Sequence, residues 1–108
     1  MVVMNARTVI APQGDLDVAT VGDFREALRD AVRDGAGTVV VDLSEVAFVD
    51  SSGLGAIMET YERLRHGGRE VAIVVPPGTA AAVMLNLTGL GSRLPVVESR
   101  EMAFSEER

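Results

Sequence analysis

The chain has 108 residues, 47% of them apolar, and a formal charge of −6 from 16 acidic and 10 basic side chains. That is enough apolar matter for one buried core and too much for a disordered tail, while no apolar run approaches the roughly 18 residues that cross a bilayer. With no cysteine and a single histidine, disulfides, thiolate catalysis and cysteine-based zinc sites are excluded, and an acidic chain makes a poor partner for nucleic acid or anionic membranes. The expectation is a single domain over residues 1–108, soluble and cytoplasmic, because the first ten residues lack the basic and long apolar regions of a secretion leader. An acidic surface suits a basic protein partner, and it equally serves solubility alone.

Residues 1–4 and 8–11 read as two short apolar strands with a turn at Asn5-Ala6-Arg7, and Gly14-Asp15-Leu16-Asp17 reads as a loop. Residues 20–33 predict a helix, since Phe24, Ala27, Leu28, Ala31 and Val32 fall on one face. Thr20 with Asp23 resembles a capping box, and Asp34-Gly35-Ala36-Gly37 closes the helix. Residues 38–43 predict a strand whose consecutive valines, Val39 to Val41, imply burial on both faces and hence a parallel, helix-covered sheet. The apolar segment 46–49 runs into Asp50-Ser51-Ser52-Gly53-Leu54-Gly55.

Residues 52–66 predict a second helix, with Leu54, Ile57, Met58, Tyr61 and Leu64 on one stripe and Gly67-Gly68 as its end. A strand over 70–75 follows, then Pro76-Pro77-Gly78-Thr79, a helix over 79–87, a strand over 94–97, and a short helix over 100–106 with Met102 and Ala103 turned inward. The order β-β-α-β-α-β-α-β-α implies an α/β domain with a mixed, mostly parallel β-sheet. Its last four strands are expected to be parallel and its first antiparallel at an edge.

In a parallel sheet the loops after the strand ends share one rim, where ligands usually bind. Asp15 and Asp17, then Asp50, Ser51 and Ser52, then Pro76, Pro77 and Gly78 are expected there. Ser51 and Ser52 stand at a helix N-terminus, whose unsatisfied N–H groups and partial positive charge suit a phosphate. On the residues alone, Ser51 is either a helix cap or a phosphorylation site, because Asp, Ser and Gly are favoured before any helix.

Gly53 and Gly55 fit neither the dinucleotide-binding nor the phosphate-loop glycine pattern, and the chain contains no lysine. Ser51 lacks the nucleophile-elbow pattern, and His66 lies at the opposite end of the helix from the serines, where a cation complements the helix dipole. Neither a catalytic group nor a metal or cofactor site is expected.

Residues 39–55, VVVDLSEVAFVDSSGLG, resemble the central signature of the STAS domain, specifically the bacterial anti-sigma-factor antagonists. Gly14-Asp15-Leu16-Asp17 resembles that family's Gly-Glu-Leu-Asp loop with Asp for Glu. Gly67-Gly68 matches in place, and Leu87-Thr88-Gly89-Leu90 resembles its Met-Ser-Gly-Leu-like segment. The likeness spans residues 8–104; the N-terminal hairpin is shorter and the last helix briefer than is usual there.

The resemblance implies the STAS fold and a partner-switching cycle. The unphosphorylated protein binds an anti-sigma factor that is also a serine kinase of the histidine-kinase-like ATPase fold, which releases the sigma factor. The kinase uses Mg-ATP to phosphorylate Ser51, and a PP2C-type phosphatase restores the hydroxyl. Asp17 matches the loop aspartate of the kinase-binding surface, and Asp50 orients the serine loop. The partner surface expected from the likeness and the shared rim comprises Asp15, Asp17, Asp50, Ser51, Ser52, Gly53 and Leu54. The alternatives are a constitutive docking domain in a stressosome-like or transport-associated assembly, and a small-molecule site on the shared rim.

Overall fold

A computed structural model describes residues 7–34 and 37–105. Among these residues, six strands and four α-helices follow one another as β1 (Arg7–Ile10), β2 (Gly14–Leu16), α1 (Val21–Asp34), β3 (Thr38–Asp42), β4 (Val46–Val49), α2 (Ser51–His66), β5 (Val71–Val74), α3 (Ala80–Thr88), β6 (Val96–Val97) and α4 (Arg100–Ser105). A 3-10 turn, Leu90–Ser92, links α3 to β6.

Among the described residues every strand pair is parallel. β1, β3, β5 and β6 form one four-stranded sheet in that order, and β2 pairs with β4 in a separate two-stranded one. The expected antiparallel edge strand at residues 1–4, most of its turn, and the helix-ending Gly35 lie outside the described residues. The second arm of that expected hairpin, Arg7–Ile10, pairs parallel with β3 in the register Arg7 to Thr38.

The valine run of β3 is buried on both faces, as its composition requires. Val39 and Val41 face the main core with Phe24, Leu28, Leu54, Ile57 and Leu64 from α1 and α2. Val40 points the other way, to a smaller cluster with Val74, Val97 and Ala103 of α4. The period-2 alternation of a strand thus divides one run of valines between two layers.

The short final helix is held from below. Arg100 Nε donates to Asp42 Oδ2 at 2.5 Å, and Ser44 donates to Asp42 Oδ1 through both its backbone N–H (2.9 Å) and its hydroxyl (2.5 Å). Asp42 is only 6% exposed. Burial pushes its carboxyl up, but the hydrogen bonds from Ser44 and Arg100 outweigh that and hold it below its ordinary value. Ala103 faces inward as expected; Met102 does not, and is 44% exposed. Of two successive residues on a helix this short, only one can face the sheet.

Gly14–Leu16, expected to be loop, is a strand. It has one apolar residue, Leu16, and so carries no periodic signal; its pairing with β4 and the burial of Leu16 hold it. Segment 46–49 is likewise a true strand, β4. The capping box expected of Thr20 and Asp23 is replaced by a turn built on Asp17. Its Oδ1 accepts from the N–H groups of Ala19 (2.9 Å) and Thr20 (3.1 Å), while its carbonyl accepts from Val21 N–H at 2.8 Å. The Thr20 hydroxyl turns back to donate to the Asp15 carbonyl at 2.7 Å and accepts from Asp17 N–H at 3.0 Å.

Candidate functional site

α2 begins one residue earlier than its periodicity predicts, because Asp50 is its N-cap. Asp50 has extended backbone (φ −107°, ψ −172°), and its Oδ1 accepts from Ser52 N–H at 2.8 Å and Gly53 N–H at 3.2 Å. Its carbonyl accepts the first helical bond, from Leu54 N–H at 3.1 Å. Ser51 is therefore the first helical residue and is exposed; Ser52, the second, is half-buried. Among the described residues neither serine hydroxyl makes a hydrogen bond.

The Asp15–Asp17 loop is fixed beside this helix start by backbone contact. In the parallel register Asp15 lies beside Phe48 and Leu16 beside Val49, so the chain continues into Asp17 on one strand and Asp50 on the other. Asp50 N–H donates to the Leu16 carbonyl at 3.0 Å. Gly53 closes the contact: a Cβ there would stand 2.9 Å from the Leu16 carbonyl oxygen, 3.0 Å from Leu16 Cβ and 3.2 Å from Val49 Cγ1. Only glycine lets the first turn of α2 sit this close to β2. Two residues further on, Gly55 has nothing within 4 Å of its would-be Cβ.

The seven residues singled out from the sequence divide accordingly. Asp15 and Ser51 are exposed, and Asp17, Asp50 and Ser52 are half-buried. Gly53 and Leu54 are buried; Leu54, 6% exposed, belongs to the main core and supports the loop from beneath. Pro76–Gly78 follows β5 and leads into α3, which packs on β4. The loop makes no hydrogen bond with the other two among the described residues.

Phe48, 50% exposed beside Asp15, is a surface feature that sequence reasoning did not single out. Alternation could not have found it: in β4, Val46 and Val49 are buried while Ala47 and Phe48 are exposed, so Phe48 departs from the period-2 pattern that would set it beside Val46.

The site is acidic. No arginine pairs with Asp15, Asp17 or Asp50 within 4 Å among the described residues. A groove of about 490 Å³ opens beside it, lined by Ile10, Leu16 and Phe24 and by the polar Asp15, Thr20 and Asp23. The chain's one histidine is remote from Ser51. His66 ends α2, fifteen residues from Ser51 or about 22 Å along the axis, and its Nδ1 donates to the Glu62 carbonyl at 2.7 Å. Among the described residues no group of three or more side chains could hold a metal ion, and no helix is long and apolar enough to cross a membrane.

Residues 2–103 match the model of the STAS domain. An anti-sigma-B factor antagonist of Staphylococcus aureus is 32% identical over 91 residues, 82% of each chain. The crystal structure of an anti-sigma factor antagonist from Mycobacterium paratuberculosis superposes with a TM-score of 0.84 at 29% identity, covering 92% of this chain and 83% of that one. The anti-sigma factor antagonist SpoIIAA in its unphosphorylated form shares the fold, with a TM-score of 0.71 at 22% identity, covering 97% of this chain and 92% of that one. A family match over nearly the whole chain and a relative at this identity leave one conclusion: the chain belongs to the STAS domain family, among the anti-sigma factor antagonists.

Proposed function

We propose that this protein is a cytoplasmic anti-sigma factor antagonist whose binding is switched by phosphorylation of Ser51. In its unmodified form it binds an anti-sigma factor that is also a serine kinase, and so frees the sigma factor. The kinase then transfers the terminal phosphoryl group of ATP to Ser51 Oγ, with loss of the hydroxyl proton and release of ADP. The modified protein dissociates, and a PP2C-type phosphatase hydrolyses the phosphoester.

The observation that carries this reading is the state of Ser51. It is exposed, its hydroxyl is unengaged among the described residues, and it stands at the first position of a helix whose cap belongs to its neighbour Asp50. A plain structural serine before a helix would spend its hydroxyl on the cap; here Asp50 does that work and leaves Ser51 free for a partner. The names of the relatives support the same reading.

The electrostatics suit a switch at an interface. A phosphoryl group on Ser51 brings about −1.5 to −2 charges. The α2 dipole favours that charge, and the nearby Asp50 and Asp17 oppose it. The fold survives, because no buried bond is broken, while a partner fitted to a bare hydroxyl meets bulk and repulsion. The accessible partner surface is Asp15, Asp17, Asp50, Ser51 and Ser52, with Gly53 and Leu54 supporting it, and its charge suits a basic counterpart.

The test is to incubate the protein with Mg-ATP and each anti-sigma kinase encoded in the same genome, and to locate phosphate by peptide mass spectrometry. Phosphate on Ser51, absent from Ser51→Ala, is the expected result. Transfer from none of the kinases would make Ser51 an ordinary surface serine and the protein a constitutive docking domain.

A further inference from the structure

Away from the acidic rim, α1 and α2 enclose a small cleft of opposite charge. It has a volume of about 120 Å³ and is lined by Arg25, Arg29, Glu59, Thr60 and Arg63. Arg25 and Arg29 are one turn apart on α1, and Glu59 and Arg63 one turn apart on α2. Glu59 lies eight residues beyond Ser51, about 12 Å along the helix axis, and Arg63 about 18 Å.

Glu59 pairs with Arg25. Among the described residues, neither Arg29 nor Arg63 has a carboxylate of its own within 4 Å. Of the neighbouring acids, Asp30 pairs with Arg33 and Glu62 with Arg65. Glu26 is exposed on α1 without an ion pair. Three guanidinium groups thus face one carboxylate, an excess of two positive charges in a chain whose net charge is −6. Like charges one turn apart on a helix destabilise it unless an anion lies between them.

We propose that this cleft binds the phosphoryl group of a phosphate monoester. The excess charge matches a dianion. Guanidinium forks present paired N–H donors at the spacing of phosphate oxygens, and the Thr60 hydroxyl supplies a further donor. The small volume admits a phosphoryl group but not the body of the molecule that carries it, so the ester substituent projects into solvent. Glu59 competes with the ligand for Arg25 and sets the affinity low. This site is independent of Ser51 and of the partner switch.

The experiment is a two-dimensional amide NMR titration of the full chain with inorganic phosphate and, separately, glycerol 3-phosphate, against sodium chloride at matched ionic strength. Saturable shifts are expected at Arg29, Thr60 and Arg63 with both probes and not with chloride. Arg29→Gln with Arg63→Gln should weaken binding about tenfold or more, as loss of charge-assisted bonds requires, without lowering the melting temperature. Should that double variant unfold, Glu59→Gln decides alone, because removal of the competing carboxylate should tighten binding several-fold. Shifts that never saturate, that persist in the folded double variant, or that fall at Ser51 to Gly53 instead would overturn the proposal. So would binding of inorganic phosphate without glycerol 3-phosphate, or a Glu59→Gln variant that binds no tighter.

Discussion

The two ends of α2 are built on different principles. At the N-terminus the chain is held by backbone: Asp50 caps two N–H groups, Asp50 N–H reaches the Leu16 carbonyl, and Gly53 touches Leu16 where no side chain fits. At the C-terminus the backbone closes on the helix's own last turn, with Gly68 N–H donating to the Arg65 carbonyl and Arg69 N–H to the Leu64 carbonyl, and the charged side chains are long and exposed. Arg65 pairs with Glu62 at 2.8 Å and holds that carboxyl below its ordinary value, and Gly67 N–H donates to the Arg63 carbonyl at 3.2 Å. The basic residues there, Arg63, Arg65 and His66, complement the helix dipole and remain in water. One end ties the backbone on either side of Ser51 to a neighbouring strand; the other finishes a helix. The N-terminal backbone contacts reach another element, β2, and that is where Ser51 stands.

That contrast can be broken most strongly at Gly53. Gly53→Ala forces a methyl group against the Leu16 carbonyl and should cost about 2 kcal/mol, as overpacking does. Chemical denaturation measures this, and binding of the anti-sigma partner should fall with it because the Asp15–Asp17 loop and Ser51 lose their common footing. A Gly53→Ala protein as stable as wild type would show that the close approach is not a constraint.

Asp50→Ala removes the cap and should cost about 1 kcal/mol by the same measurement. A comparable loss, about 1 kcal/mol after allowance for the half-exposed Arg100, is expected of Asp42→Asn at neutral pH. It should differ in acid. The Asp42 carboxyl sits below its ordinary value of 3.8 in the folded protein. Its contribution is therefore complete above that value and is lost as the pH falls through the lower, folded one. Wild type and Asp42→Asn should converge in stability as acid titrates this group; a gap that persists unchanged after Asp42 is protonated would refute the assignment.

Gly55→Ala, two residues from Gly53, should instead stabilise by about 0.5–1 kcal/mol, since its Cβ meets open space inside a helix. Opposite signs at two glycines of one motif would sharpen the comparison better than either alone. The smallest effect is expected at the far end, where Glu62→Gln should leave the melting temperature unchanged because both partners of its ion pair with Arg65 are solvated.

Much of this was legible before any coordinates. Helical periodicity located α1 and α2 and their buried faces, and the valine run announced a strand covered on both sides. The motif placed Ser51 at a helix start. Three-residue β2 was not legible, because Leu16 alone cannot make a pattern. Nor could spacing reveal that Asp17 would fold back to build the turn before α1, or that Thr20 would serve that turn rather than Asp23. The glycines at 53 and 55 look alike in sequence; only the position of Leu16 and Val49 separates a packing requirement from a free position. The arginine cleft also escaped, since its residues come from two helices whose pairing is tertiary.

The most direct measurement is the affinity of the purified protein for its cognate anti-sigma kinase before and after stoichiometric phosphorylation of Ser51, by calorimetry at fixed ionic strength. Loss of affinity by about tenfold or more, as an introduced like-charge contact at an interface requires, with an unchanged fold by circular dichroism, is the predicted result. Equal affinity of the two forms would contradict it and leave Ser51 outside the switch.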